Sequence, residues 1–242
     1  MSAYFEYKGI KSTDMYLRIL NEISFPSPEA DIEFVEIMGK DGELAIDNDR
    51  LKGVNFSIPC SLHLPENKTI EEAATEISNW LKNDIGWHPL RFSSSPKYEY
   101  IAMCYEQFDV EETLKQFGKT VITFRLKPYK RFVGEKSIVL SNGQTIVNEG
   151  TRIAKPLIYI EGHGDITFKN NGKDWLMLTG VDGHITVDSE SMNVYRGNVV
   201  QFTKMKSHLK PLFPVLENGN NRIEWTGDVT KVEITPRFEV VF

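Results

Sequence analysis

Apolar residues along this chain recur at two spacings, and the places where the spacing changes divide it. Phe56-Ser57-Ile58-Pro59 alternates at period two, as a half-buried strand does. Tyr4-Phe5-Glu6-Tyr7, leading to Gly9, predicts a further extended segment, as does Ile32-Glu33-Phe34-Val35-Glu36-Ile37. The latter breaks at Gly39-Lys40-Asp41-Gly42, where Asp-Gly tolerates the positive φ of a turn. Tyr98 to Tyr105 and Thr120 to Leu126 have strong β propensity, and the second is predicted to stop at Lys127-Pro128, where proline removes a ladder donor.

One segment departs from period two. Ile70, Ala73, Ala74, Ile77 and Leu81 fall at helical spacing, bordered by Trp80. Thr69 with Glu72 three residues later is the capping-box pattern, and Gly86 and Pro89 end the region, so a helix is predicted over about 69–83. Its polar face carries Glu71, Glu72, Glu76 and Asp84 against Lys82, and such a face repels anionic lipid. The helix is expected to pack on a sheet.

Beyond Lys127-Pro128 no helix pattern returns. Short strand signals recur at 138–140, 156–160, 166–168, 175–178, 184–187, 199–202, 222–225, 231–234 and 237–242. The breakers between them are Asn142-Gly143, Asn170-Asn171-Gly172, Asp182-Gly183 and Asn218-Gly219-Asn220-Asn221. Many short strands between turns predict a β-sandwich or barrel. The fold class is therefore mainly β, with a boundary near 128–137 that separates domains at 1–132 and 133–242. No repeat or low-complexity segment interrupts the chain.

Composition narrows the function classes. The chain has 242 residues with ordinary globular usage of apolar and charged side chains, which excludes global disorder and coiled coil. No apolar run is long enough to span a bilayer, and the start is not expected to be a secretory signal. The formal charge is −6, against a dedicated phosphate-binding surface. Lys127, Lys130, Arg131 and Lys136 cluster around Pro128 and read as a solvated linker, with an anion contact as the alternative. Cys60 and Cys104 read as buried free thiols, since two cysteines make neither a disulfide framework nor a four-ligand zinc site.

The chain offers no catalytic, cofactor-binding or metal-binding constellation. Phe117-Gly118-Lys119-Thr120 resembles the end of a phosphate loop, but Thr113 stands where the earlier glycine is needed and a strand follows. Gly162-His163-Gly164-Asp165 reads as a tight turn with an exposed histidine, because no nucleophile or orienting acid accompanies it. His63, His88, His184 and His208 are scattered. Asp47-Asn48-Asp49 begins like a calcium loop, yet Lys52 and Ile58 occupy the positions that need glycine and an acid. Glu71-Glu72 and Glu111-Glu112 read as solvated pairs. Trp175, Trp225 and Tyr195 could stack sugars, although tryptophan in a sandwich is more commonly core.

Taken in order, several segments resemble the distal tail proteins of long, non-contractile-tailed phages of Gram-positive bacteria. These are Phe5-Glu6-Tyr7-Lys8-Gly9 with Ser12 and Asp14, and Ile37-Met38-Gly39-Lys40-Asp41-Gly42, with Lys40 where the family has Arg. Further along come the helix ending in Trp80-Leu81, Phe124 to Tyr129, Asn148-Glu149-Gly150 with Lys155-Pro156, Gly162-His163-Gly164-Asp165-Ile166, and Gly219 to Trp225. The structural turn positions are thus Gly39, Asp41, Gly42, Asn148, Gly150, Pro156, Gly162, Gly164, Gly219 and Asn220.

The resemblance implies an N-terminal split β-barrel belt domain with one α-helix and a C-terminal galectin-like β-sandwich. It implies a homo-hexameric ring at the virion tail tip, assembled in the host cytoplasm, without cofactor or membrane. Its expected partners are the major tail tube protein, the tail-associated fibre or lysin protein and receptor-binding proteins. DNA would be a transient passenger through the channel, repelled by acids if these line it. A carbohydrate-binding module for host-wall sugars is the alternative of another class, and a glycoside hydrolase or its accessory domain the third.

Overall fold

In the computed structural model residues 3–20, 23–114, 117–206 and 210–242 are described, without the side chains of 112–114. The chain divides into two compact units, Met1–Val133 with Val241–Phe242, and Gly134–Val240. Among the described residues no helix is long and apolar enough to cross a membrane.

The first unit contains β1 (Phe5–Tyr7), β2 (Ile10–Lys11), β3 (Leu17–Ile19), β4 (Ala30–Glu36), β5 (Glu43–Leu51), β6 (Val54–His63), α1 (Ile70–Lys82), β7 (His88–Phe92), β8 (Tyr98–Met103), β9 (Val110–Leu114) and β10 (Phe117–Phe132). Its main sheet runs β2-β1-β7-β8-β10-β6-β3, with β9 also on β10, and curls into a half-barrel. Alternation gives the sheet one buried face. Phe56, Ile58, Cys60 and Leu62 of β6 face inward, as do Ile122, Phe124 and Leu126 of β10, and the register sets Ile58 against Ile122 and Phe56 against Phe124.

The helix packs on the core side of this sheet. Thr69 Oγ1 accepts from the Glu72 amide at 3.2 Å while the Glu72 carboxylate accepts from the Thr69 amide at 2.9 Å. That backbone bond holds the Glu72 carboxyl below the ordinary glutamate range. Ala73, Ile77, Trp80 and Leu81 are buried as one stripe. The Trp80 indole donates to the Tyr7 carbonyl at 3.0 Å and stacks on Phe5 with centroids 5.8 Å apart, which fastens the helix to β1.

β10 does not stop at Lys127-Pro128. The strand continues to Phe132, because its register with β8 shifts between Leu126 and Lys130. The missing donor of Pro128 falls in that irregular stretch.

The second unit holds β11 (Ile138–Val139), β12 (Gln144–Asn148), β13 (Leu157–Asn170), β14 (Lys173–Asp188), β15 (Asn193–Arg196), β16 (Val199–Val200) and β17 (Gly219–Thr235), ordered β11-β17-β13-β14-β15-β16 with β12 also on β17. Six of the nine recurring short strand signals are parts of three long strands, β13, β14 and β17, while those at 138–140, 199–202 and 237–242 fall on short strands of their own. Asp182-Gly183 lies inside β14, and Gly219 and Asn220 open β17. Asn171-Gly172 is a true two-residue turn between β13 and β14, both residues at positive φ.

Gly162-His163-Gly164-Asp165 also differs from the expected tight turn. It sits within β13, at a bulge between Gly164 and Ile166. A Cβ at Gly162 would collide with the Asp228 carbonyl, and one at Gly227 would collide with the Asp165 carbonyl. The two glycines let β13 and β17 approach where both are irregular, so the bend needs no loop. Residues on either side of it share one core, including Ile160, Phe168, Ile223 and Val232.

Thr69→Ala is expected to lower the stability of the first unit by about 1 kcal/mol in urea denaturation read on the helical circular dichroism signal. Gly162→Ala is expected to cost several times more in the second unit. Unchanged midpoints in both variants would contradict these two assignments.

Candidate assembly surface

β4 and β5 form a two-stranded sheet of their own. Ile32 pairs with Asp47, Phe34 with Ala45 and Val35 with Leu44, so apolar and acidic side chains mix on both faces. Phe34 is 61% exposed, Met38 at the tip stands wholly in solvent, and Ile32, Ile37, Leu44 and Ile46 are also exposed. Gly39, Asp41 and Gly42 lie in that tip, between the ends of the two strands. Residues 30–51 hold seven acids against Lys40 and Arg50.

The base of this arm is fastened by charge. Arg50 pairs with Asp31 at 2.5 Å, and Lys52 pairs with Glu29 at 3.1 Å. The hydrogen bond from Arg50 holds the Asp31 carboxyl below its usual range. Solvated ion pairs of this kind contribute little to stability. An isolated hairpin is only marginally stable in water, and a patch of exposed apolar residues marks an interaction surface. Asp47-Asn48-Asp49, the triplet weighed as a calcium loop, lies on β5 where Asp49 takes a positive φ and its amide donates to Asp47 Oδ1 at 2.9 Å.

A second feature lies at the other end of the charge scale. Gly53, Trp87, Met103, Tyr105, Arg125, Leu126, Lys127 and Pro128 line a hollow of about 440 Å³. Trp87 is 44% and Tyr105 49% exposed. The Lys127 ammonium lies 5.5 Å from the Trp87 ring centroid and 5.8 Å from that of Tyr129. Arg125 donates to Asn55 Oδ1 at 2.8 Å. The hollow's lining includes two cations and no acid. Lys130 continues the pattern, 4.5 Å from the Tyr98 ring. The basic cluster expected to be a linker is thus largely strand, with Lys127, Lys130 and Arg131 on β10; Lys136 is exposed in the second unit.

The remaining candidate residues serve the fold. Cys60 and Cys104 are buried free thiols, and burial pushes them up to about 12 and about 11, so both stay protonated at neutral pH. Asn148 ends β12 and accepts from the Gly150 amide at 2.9 Å while donating to the carbonyls of Arg152 and Leu216. Pro156 precedes β13, and its carbonyl accepts from Ser189. Trp175 is buried and donates to the Val215 carbonyl at 2.7 Å, and Trp225 packs on Phe168, so both rings belong to the core side. Tyr195 is half-buried on β15.

His63 contacts Ser61, His88 lies 3.3 Å from Asp84, His163 3.7 Å from Asp182, and His184 packs beside Tyr159. His208 and the side chains of Glu112 and Thr113 lie outside the described residues. Gly118 and Lys119 sit inside β10, Glu71 is exposed on α1, and Glu111 lies on β9. Among the described residues no group of three or more His, Cys, Asp or Glu side chains could hold a metal ion.

The arm and the hollow were not legible as sites. β5 has no buried face and therefore no alternation to detect, and the hollow assembles residues from four separate stretches. The charge imbalance of 30–51 is the signal that could have marked the arm.

The family described as phage tail protein RIFT-related domain matches residues 6–126. Among solved structures, the chain is similar to SPP1 Dit, described as a paradigm of hub adsorption apparatus in phages infecting Gram-positive bacteria. The TM-score is 0.71 at 15% identity, over 97% of this chain and 98% of that one. It is also similar to a chain of the phage p2 baseplate in its activated conformation with strontium. That match has a TM-score of 0.52 at 10% identity, over 97% of each chain. No curated protein matches in sequence.

Replacing residues 31–50 by an Asn-Gly turn between Ala30 and Leu51 is expected to leave both units folded. Their thermal midpoints should shift by less than about 4 °C, since the arm adds no core. A large loss on calorimetry would show that the arm is part of the first unit's core.

Proposed function

The chain belongs to the family of phage tail proteins with a RIFT-related domain, and from that premise we propose that it is a structural hub of the tail tip. Copies assemble into a homo-hexameric ring through the first unit, which acts as the belt. The ring joins the major tail tube protein to the tail-associated fibre or lysin protein. The second unit, a galectin-like module, offers a mount for receptor-binding proteins. DNA passes through the ring at ejection. Assembly takes place in the host cytoplasm, and the protein works at the virion tail tip rather than as an enzyme.

The observation that carries this reading is the arm of residues 30–51. Each unit has a complete apolar core of its own, yet the arm holds its apolar side chains in water. A side chain such as Phe34 gains ~1.5–3 kcal/mol on full burial, so a surface of such residues favours association. The net negative charge of the chain suits a conduit for DNA, because like charge discourages sticking. Protonated, buried thiols supply no nucleophile. The turn residues Gly39, Asp41 and Gly42 act by shaping the arm's tip, and Asn148, Gly150 and Pro156 act by shaping the connection between β12 and β13 of the second unit.

Light scattering over a concentration series, with negative-stain images of the same fractions, tests the reading. The expected result is a species of six subunits seen as rings with a central hole, formed alone or with the tail tube protein added. A monomer under both conditions, with no rings, would contradict it.

A further inference from the structure

We propose that the acidic arm of one copy docks into the Trp87–Lys127 hollow of the next copy. Met38 and Phe34 would pack on Trp87 and Tyr105, and the arm's carboxylates would face Arg125 and Lys127. This inference rests on the ring reading and names its two contact faces.

Three observations converge on it. The arm and the hollow are chemically complementary. The arm presents exposed aliphatic and aromatic side chains among seven acids, and the hollow presents half-exposed aromatic rings with two cations and no acid. Exposed aromatics with arginine are the residue types that dominate interface energetics. The hollow is also of a size to admit an apolar side chain or two.

Reach decides which copy supplies the arm. Gly53 lines the hollow and lies two residues past the end of β5, so the hollow sits at the foot of its own arm. β4 has seven residues. At ~3.3 Å per residue the tip stands roughly 23 Å from that foot, and a paired ribbon does not fold back on itself. Met38 of a copy therefore finds the hollow of another copy and not its own. A donor face and a different acceptor face on one chain make a heterologous contact, which generates a ring when the rotation closes.

The test uses the full chain. Arg125→Glu with Lys127→Glu reverses the hollow, and Glu36→Lys with Glu43→Lys reverses the arm. Each reversed pair alone is expected to raise the concentration for half-assembly roughly tenfold or more, and combining all four substitutions is expected to recover most of that loss. Circular dichroism checks that each variant folds.

Independently, Met38→Cys and Trp87→Cys chains are mixed under mild oxidation. A disulfide between position 38 of one chain and position 87 of the other is expected on non-reducing gels, because buried Cys60 and Cys104 do not compete. Rings that form normally with the hollow reversed, and without that disulfide, would overturn the docking and leave the ring reading intact. Disulfide-linked pairs from a chain that never forms rings would uphold the docking and overturn the ring. Neither rings nor disulfide at any concentration, with or without the tail tube protein, would overturn both.

Discussion

Backbone hydrogen bonding alone does not hold a two-stranded ribbon in water, and the ribbon of residues 30–51 has little else. Among the described residues it pairs only within itself, and none of them covers the apolar side chains on its two faces. The ion pairs at its foot fix its origin but contribute little free energy. The energetic deficit points outward, to a surface on another molecule. The half-barrel and helix of the first unit already account for their own burial, so they act as a platform that aims the ribbon.

That platform is built for rigidity. The Trp80 indole bonded to the Tyr7 carbonyl, with the Phe5 stack beside it, ties the helix to the first strand. β10 is the spine of the first unit: it pairs with β6, β8 and β9. Its middle carries Arg125 and Lys127 into the hollow. Donor arm and acceptor hollow are therefore linked through one short connection, Lys52–Gly53, between β5 and β6. A contact made at one end is held in fixed geometry relative to the other, as repeated assembly of identical subunits requires.

Much of this was legible in the chain. The helix was, because Thr69, Glu72 and a stripe at helical spacing all point the same way. β6 and the first part of β10 were, because each buries one face and so alternates. β5 was not, since a strand that buries nothing leaves no period to read, and Asp47-Asn48-Asp49 carries turn-forming residues. The long strands of the second unit were hidden for another reason. Gly162, Gly164 and Gly183 act as breakers in a local reading, whereas here they lie inside β13 and β14, and Gly162 with Gly227 permits close backbone approach between β13 and β17. The hollow was illegible because Trp87, Tyr105 and Arg125 meet only through the neighbouring β7, β8 and β10.

Amide hydrogen exchange on the dilute chain and on the assembled particle tests most directly whether the ribbon is an assembly arm. In dilute protein the amides of 30–51 should exchange far faster than those of β6 and β10, because a lone ribbon opens readily. In the particle the same amides should become protected while the two cores change little. Equal protection of the ribbon in both states would contradict the account, since the arm would then be stable without a partner.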